Sequence, residues 1–309
     1  MNPSTVRPEQ QSRPQAERVS RDRFHHFAAI DWSGAVGERH RGIALAICDA
    51  GNGAPRIVRP GHRWSRPEVA EWLLEEMPDD TLVGLDISGS LAFADRGAFF
   101  PGWPGSPPDA RTLWAAVEQA CAGDAHLGAS SFADHPEVAR HYRRHGGREG
   151  DRFGGGIGRL RVTEERGQKA LGCRPTSNFN LVGASQVGKA SLTGMRVLHR
   201  LSGHIPLWPF DPLPDHGSVA VEIYTTIAAI AAGRSPSRSK LRTYAELNAA
   251  LAVLGTKAVR GRGAIDDHRS DALLAAAWLR TVAHRREYWS PLAMTPEIAR
   301  TEGWTFGAL

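Results

Sequence analysis

The sequence predicts a mixed α/β fold, and two patterns predict it. Short apolar runs bounded by Gly, Pro and Asp are typical of buried strands, and several stretches between them carry apolar residues at helical spacing. The chain has 309 residues, of which 41% are hydrophobic, so it is long enough to bury a substantial core. No apolar run approaches the length of a membrane span, and we expect no membrane partner.

Four strands and one helix are predicted before residue 95. The run HHFAAIDWSG ends at Asp31, RGIALAICDA follows as a second strand, and PRIVRPGHRW supplies a short third one. In SRPEVAEWLLEEM, a Ser and a Pro precede apolar residues at helical spacing, which predicts a helix. TLVGLDISGSLAF is a buried strand that turns at Asp86. The predicted order is β-β-β-α-β, with an aspartate at the carboxyl end of the first and fourth strands.

Glycine and proline are dense from about residue 95 to residue 215, which predicts a large insertion of short helices and loops. It ends in a helix from about Gln186 to Leu201. The sheet then resumes with GSVAVEIYTT, followed by an alanine-rich helix, a basic linker and the helices YAELNAALAVLG and AIDDHRSDALLAAAWLR. We interpret residues 1–24 as a disordered basic tail, 25–290 as one domain and 291–309 as a C-terminal tail. Since the first segment has no hydrophobic signal core, we expect a cytoplasmic protein.

Basic residues are concentrated in two segments. Arg140–Arg174 has ten Arg or Lys against four acids, and Arg234–Arg262 has seven against one, whereas the whole chain carries a formal charge of +5. Such segments predict a polyanionic partner, nucleic acid before membrane, although a solvated arginine-rich surface would give the same counts. The three cysteines lie far apart without CxxC spacing, so neither a disulfide framework nor a zinc site is predicted.

The last predicted helix begins with unusual negative charge, at Asp266, Asp267 and Asp271. Capping explains Asp266 or Asp267, because a carboxylate beside the first turn accepts backbone N–H bonds and suits the helix dipole. Asp271 lies about one turn further in, on the same face as Leu274 and Trp278. A carboxylate in a buried stripe is costly unless it is paired or bound to a cation. The pattern therefore predicts a cationic partner for Asp271.

Asp31, Asp86 and Asp271 are predicted to form a metal site. Ligands of open α/β sheets gather beyond the carboxyl ends of the strands, where strand order reverses. Carboxylates brought together there repel one another and suit Mg²⁺ or Mn²⁺, and two such ions can clamp the oxygens of a phosphoryl displacement. Either His268 or Asp267 can meet Asp271 on the helix face, and the sequence does not decide between them. Taken singly, Asp31 and Asp86 could also be ordinary turn residues.

Two further features have competing interpretations. Glu222 ends its strand and is a weaker candidate for a metal ligand, since it can simply pair with an arginine. The stretch GASQVGKAS nearly fits the phosphate-loop pattern, but Ala190 stands where Ser or Thr is required and no convincing strand precedes it. We expect no ATP-binding loop there, although Lys189 can still meet a phosphate.

The order β-β-β-α-β-α-β-α, with acids on the first strand, the fourth strand and the last helix, resembles the ribonuclease H fold and its RuvC-type branch. More closely, AIDWSGA, GLDISGSLAF, QVGKASLTGMRVL, VAVEIYTT and DDHRSDALLAAAWLR resemble the domain-of-unknown-function 429 family, which comprises predicted ribonuclease H-like nucleases. The resemblance covers most of residues 27–285. It implies that Asp31, Asp86 and Asp271 bind the metal, with Asp267 or His268 as a fourth ligand or proton shuttle.

The function expected first is a nuclease that hydrolyses phosphodiester bonds of DNA or RNA with two Mg²⁺ or Mn²⁺ ions. Four basic residues of the insertion are expected to contact the phosphate backbone, namely Arg166, Lys169, Arg174 and Lys189. Two alternatives share the core topology: an actin-like or sugar-kinase-like phosphotransferase, and a nucleic-acid-binding protein that has lost catalysis. The kinase signature has Gly two residues after the first-strand Asp, where this chain has Ser33.

Overall fold

The apolar runs form a mixed six-stranded sheet in the computed structural model, which describes residue 20 and residues 22–183 and 187–309. The strands in chain order are β1 (His26–Asp31), β2 (Ala44–Asp49), β3 (Arg56–Ile57), β4 (Thr81–Leu85), β5 (Arg143–Arg144), β6 (Arg148–Glu149), β7 (Leu207–Trp208) and β8 (Val219–Glu222). The sheet order is β3-β2-β1-β4-β8-β7, and β5 pairs with β6 in a separate ribbon. β1 is antiparallel to β2 and parallel to β4, and β4 is parallel to β8.

The described parts of the chain contain eleven α-helices. They are α1 (Arg66–Glu71), α2 (Ala110–Ala120), α3 (Ser130–Asp134), α4 (Pro136–Ala139), α5 (Val162–Leu171), α6 (Val187–Leu201), α7 (Thr225–Ala231), α8 (Tyr244–Val253), α9 (Asp267–Val282), α10 (Arg286–Trp289) and α11 (Pro296–Thr301). Ser65 and Glu68 form a capping box at the start of α1, and a π-helical turn extends it to Glu76. The first five elements therefore appear in the predicted β-β-β-α-β order.

The sheet lies between two layers of helices. Side chains alternate across each strand, so both faces of the sheet are apolar and both need cover. Helices α7, α8 and α9 pack on one face, where Trp278 of α9 is completely buried. Helices α1, α2 and α6 pack on the other face. The fold is thus of the α/β class, as the sequence predicts.

The segment predicted as an insertion, residues 95–215, is built into this core. Its Phe99, Phe100 and Trp114 are completely buried on the same face of the sheet as α6. Strand β7 also lies within the segment and forms an edge of the main sheet, parallel to β8. The helix predicted at the end of the segment corresponds to α6. The segment and the sheet therefore share one hydrophobic core.

The C-terminal residues, predicted to be a tail from 291 to 309, also belong to the core. Trp304 and Phe306 are completely buried. The Phe306 N–H donates to the carbonyl of Glu222 at 2.8 Å, which joins this segment to the end of β8. The stretch has no regular apolar spacing, and this is why the sequence pattern does not reveal its packing.

Most of the predicted N-terminal tail, residues 1–24, lies outside the described residues. Its last residue, Phe24, is buried and stacks on Trp289. Among the helices of the described chain, none combines the length and the apolar composition that crossing a membrane requires.

We predict that Phe306→Ala lowers the free energy of unfolding by about 3–5 kcal/mol, because its ring packs against Trp208, Trp278 and Trp289 and its loss leaves a cavity. Leu309→Ala is the control, since Leu309 is 48% exposed, and should change stability by less than about 0.5 kcal/mol. Urea unfolding followed by circular dichroism measures both. Equal values for the two variants would show that the C-terminal segment does not pack on the core.

Candidate functional site

Asp31 and Asp86 lie side by side at the carboxyl ends of two neighbouring parallel strands. The pairing of β1 with β4 places Ile30 level with Leu85, and the Asp86 N–H donates to the Ile30 carbonyl at 2.9 Å. Asp31 and Asp86, which follow these two residues, are therefore at the same height and on the same face of the sheet. The two carboxyl groups are therefore neighbours at this end of the sheet. Asp31 is only 6% exposed.

Helix α9 brings two further groups to the same place. Asp266 is its N-cap and accepts a hydrogen bond from the Arg269 N–H at 2.9 Å, so Asp271 lies inside the first turns, as predicted, and is 6% exposed. His268 Nδ1 lies 2.7 Å from Asp31 Oδ2. We call Asp31, Asp86, Asp271 and His268 the carboxylate cluster.

Asp267 stays at the rim of the cluster. Its side chain is 46% exposed, and its nearest contact in the cluster is His268, whose Nε2 lies 3.9 Å from Asp267 Oδ1. Of the two residues between which the sequence did not decide, His268 is therefore the one in direct contact with a cluster carboxylate.

A lysine that sequence reasoning missed is the cationic partner of Asp271. Lys240 lies in the loop between α7 and α8, and its ammonium group forms an ion pair with the Asp271 carboxylate. The residue belongs to the basic linker, where neither spacing nor periodicity distinguishes it from its basic neighbours.

The cluster holds more negative charge than its surroundings neutralise. Burial, together with the nearby Asp31 and Asp271, raises the pKa of Asp86 well above its ordinary value. Burial also raises the pKa of Asp271 to about 6, although Lys240 opposes this shift. The hydrogen bond to Asp31 raises the pKa of His268. All three shifts favour the protonated forms, so the cluster favours additional positive charge.

Helix α6 holds the loop that follows Asp31. The indole N–H of Trp32 donates to Thr193 Oγ1 at 3.1 Å. A Cβ atom on Gly34 would collide with the backbone of Ala190, so the loop can approach the helix this closely only because residue 34 is glycine.

The same helix holds the loop that follows Asp86. The Ser191 hydroxyl donates to the Ser88 carbonyl at 2.7 Å, and Gly194 leaves room for the side chain of Ile87. The motifs AIDWSGA, GLDISGSLAF and QVGKASLTGMRVL therefore describe one packed unit, in which α6 positions the ends of β1 and β4.

The cluster opens into a cavity of about 670 Å³, which we call the carboxylate cavity. Its charged and histidine lining residues are Asp31, Asp86, Arg161, Glu164, Arg174, Glu222, Lys240, Asp267 and His268. Of the four basic residues predicted to contact phosphate, Arg174 lies here and Lys189 lines a neighbouring cavity. Arg166 and Lys169 are on the exposed side of α5 and line neither cavity.

Glu222 lines the carboxylate cavity but does not join the cluster, because its side chain leaves the strand on the opposite face of the sheet. It is level with Leu85, one residue before Asp86, and successive side chains of a strand alternate between faces. Its two carboxylate oxygens accept hydrogen bonds from the guanidinium group of Arg161 at 2.6 and 2.8 Å. The structure thus places Glu222 in a buried ion pair with an arginine, the alternative to metal binding.

The donor atoms of the cluster suit a hard divalent cation, since they are carboxylate oxygens and one imidazole nitrogen. The raised pKa of Asp86 also indicates charge that a cation would neutralise. As the side chains stand, however, no three His, Cys, Asp or Glu residues in the described parts of the chain are arranged to hold a metal ion. Metal binding would require the carboxylates to rotate and Asp271 to be shared with Lys240.

Comparisons with protein-family models, with curated proteins and with solved structures found no match to this chain. What the site does is therefore inferred from its own geometry and chemistry.

We predict that Asp86 and Asp271 contribute less to the stability of the metal-free protein as the pH rises from 4 to 8. A carboxyl group whose pKa is raised by folding stabilises the folded state below the unfolded pKa, about 4, and this contribution is lost as the pH rises through the folded value. Asp86→Asn mimics the protonated acid and cannot ionise. In EDTA at pH 8, it should therefore raise the Tm above that of the wild type by several degrees, as measured by calorimetry.

Asp79→Asn is the matched control, because Asp79 is exposed and lies before the other end of β4. Its Tm should follow that of the wild type across the pH range. An Asp86→Asn curve parallel to the wild-type curve would contradict the raised pKa of Asp86.

Glu222→Gln is predicted to lower the free energy of unfolding by about 1–3 kcal/mol, because the buried Arg161 then keeps only its ion pair with Glu164. The heat of Mn²⁺ binding to Glu222→Gln should equal that of the wild type, because Glu222 is not part of the carboxylate cluster. Urea unfolding and isothermal titration calorimetry measure the two quantities. A variant with wild-type stability and impaired Mn²⁺ binding would instead make Glu222 a metal ligand.

Proposed function

We propose that this chain is a nuclease that hydrolyses phosphodiester bonds of DNA or RNA with Mg²⁺ or Mn²⁺, on a ribonuclease H-like fold similar to that of the domain-of-unknown-function 429 family. The proposal is carried by the convergence of Asp31, Asp86 and Asp271, from two strand ends and the facing helix, beside the carboxylate cavity, which Asp31 and Asp86 line. The fold part is supported by the β-β-β-α-β order and by a first strand that has an antiparallel neighbour on one side and a parallel neighbour on the other.

Each cluster residue has a role in this proposal. A bound divalent ion would activate water and neutralise charge on the phosphate group. Asp31 and Asp86 would hold the ion, and Asp271 faces them from α9 beside Lys240. His268 is bound to Asp31 through Nδ1, which leaves Nε2 to donate a proton to the departing oxygen. Arg174 lines the same cavity and would contact the phosphate backbone.

The ion pair between Lys240 and Asp271 favours a second candidate function, a nucleic-acid-binding protein without catalysis. A lysine that neutralises a cluster carboxylate reduces the need for a metal ion at that position. In that case the wild type binds no Mn²⁺. The Lys240→Met variant, which lacks the competing ammonium group, should bind it.

The nuclease proposal is tested by titrating Mn²⁺ into wild-type protein, Asp31→Asn and the Asp79→Asn control in a calorimeter. Cleavage is then followed on single-stranded, duplex and branched DNA and RNA. We expect Asp31→Asn to lose Mn²⁺ binding and to cleave at least about 100-fold more slowly, because it removes a carboxylate on which the site depends. Asp79→Asn should match the wild type in both assays.

Equal Mn²⁺ binding in all three proteins, with no cleavage by any of them, would overturn the proposal. Thermal unfolding of each variant is measured in parallel, so that loss of folding is not taken for loss of the metal site.

A further inference from the structure

A second cavity, of about 590 Å³, adjoins the carboxylate cavity, and Gly34 and Ala35 line both. These residues belong to the loop that follows Asp31, so the wall between the two cavities is backbone with very small side chains. A ligand that follows this loop would contact both cavities. We call the second one the basic cavity.

The lining of the basic cavity carries excess positive charge. Its charged residues are Arg66, Arg144, Arg148, Lys189, Asp124 and Asp134. Arg144 pairs with Asp134 at 3.1 Å. Asp124 accepts hydrogen bonds from the backbone N–H and the hydroxyl of Ser131. Arg66, Arg148 and Lys189 form no ion pair with any acid in the described chain, and this leaves three cations against one carboxylate.

Arg66 is the most unusual of these cations, because it is 1% exposed. Its guanidinium group donates to the carbonyls of Ser33, Ala35 and His126, which are neutral acceptors. Burial lowers the pKa of Arg66 to about 10, so the group is still charged at neutral pH. A buried charge without a counterion produces a strong positive potential in the adjacent cavity, which an anion would neutralise.

We propose that the basic cavity binds a phosphate group of a nucleic-acid strand whose neighbouring phosphodiester lies in the carboxylate cavity. This inference rests on the proposed nuclease function. Lys189 and Arg148 contact the phosphate, and Arg66 strengthens the positive potential through the shared wall. Lys189, the lysine of GASQVGKAS, then binds a phosphate group of nucleic acid and is not part of an ATP-binding loop.

A strand suits the two cavities better than a small phosphate ligand. The cations of the basic cavity come from three separate elements of its lining, α6, β6 and α1. The cavity also continues along the loop to the carboxylate cluster. A strand carries phosphates at regular intervals, whereas inorganic phosphate or pyrophosphate would occupy only part of this space.

The test measures binding of a fluorescein-labelled single-stranded oligonucleotide in EDTA, where no metal-dependent cleavage occurs. The variant is Lys189→Ala, Arg148→Ala. It keeps the Lys189 backbone and Cβ, which pack against Gly34, so the loop should keep its position. Fluorescence anisotropy should show at least about tenfold weaker binding. The slope of log affinity against log salt should fall by about 1.4 for two lost contacts with a single strand.

The matched control is Arg56→Ala, Arg286→Ala, which removes the same charge at the other end of the molecule. Arg56 pairs with Asp49, at the opposite end of β2 from the cluster. Arg286 follows the end of α9 whose Arg280 contacts Asp49. The control should bind within about twofold of the wild type. Equal losses in both double variants would overturn the proposal in favour of general charge attraction.

Two further outcomes separate this proposal from others. Pyrophosphate binding that depends on Lys189 and Arg148, in a protein that does not bind the oligonucleotide, would overturn it in favour of a small-phosphate site. Oligonucleotide binding that depends on the two residues, without Mn²⁺-dependent cleavage, would support the basic cavity and overturn the nuclease. Mn²⁺-dependent cleavage by the wild type, with unchanged oligonucleotide binding in the double variant, would support the nuclease and overturn the role of the basic cavity.

Discussion

Repulsion among three neighbouring carboxylates, two of them buried, is the constraint on which the surrounding structure depends. Asp31 and Asp86 cannot move apart, because parallel pairing of β1 and β4 fixes their backbones at the same height. Asp271 cannot withdraw, since it lies inside a capped helix that packs on β1. The molecule accommodates the repulsion with Lys240, with the His268 hydrogen bond and with the raised pKa of Asp86. Such an arrangement is costly for stability alone and is typical of sites where charge has a function.

Helix α6 connects the predicted insertion to this constraint. It binds the loop after Asp31 through Trp32 and the loop after Asp86 through Ser88, while Lys189 on the same helix faces the basic cavity. One helix thus positions the strand ends and lines the proposed phosphate site. The insertion is therefore part of the site as well as of the core, which is consistent with the burial of its aromatic side chains against the sheet.

How far the sequence predicts the site depends on whether a residue lies in a regular element. Asp31, Asp86 and Asp271 could be placed together because strand ends and helix turns have fixed periods. The same periodicity separates Glu222 from the carboxylate cluster. In VAVE, Glu222 shares a face of the strand with Ala220, whereas Val221 lies on the face that carries α9. Lys240 could not be found, because it lies in a loop whose path depends on tertiary packing. Trp304, in the irregular C-terminal segment, was missed for the same reason.

Charge balance distinguishes one-ion and two-ion forms of the proposed centre. With His268 neutral, three ionised carboxylates carry three negative charges and Lys240 supplies one positive charge, so a single divalent ion would neutralise the cluster. A second divalent ion would leave an excess of two positive charges, which is unfavourable in a partly buried site unless negative charge arrives with it. A phosphodiester strand brings that charge. With Lys240 in place, we therefore expect the free protein to take up one ion, and a second only together with the nucleic acid.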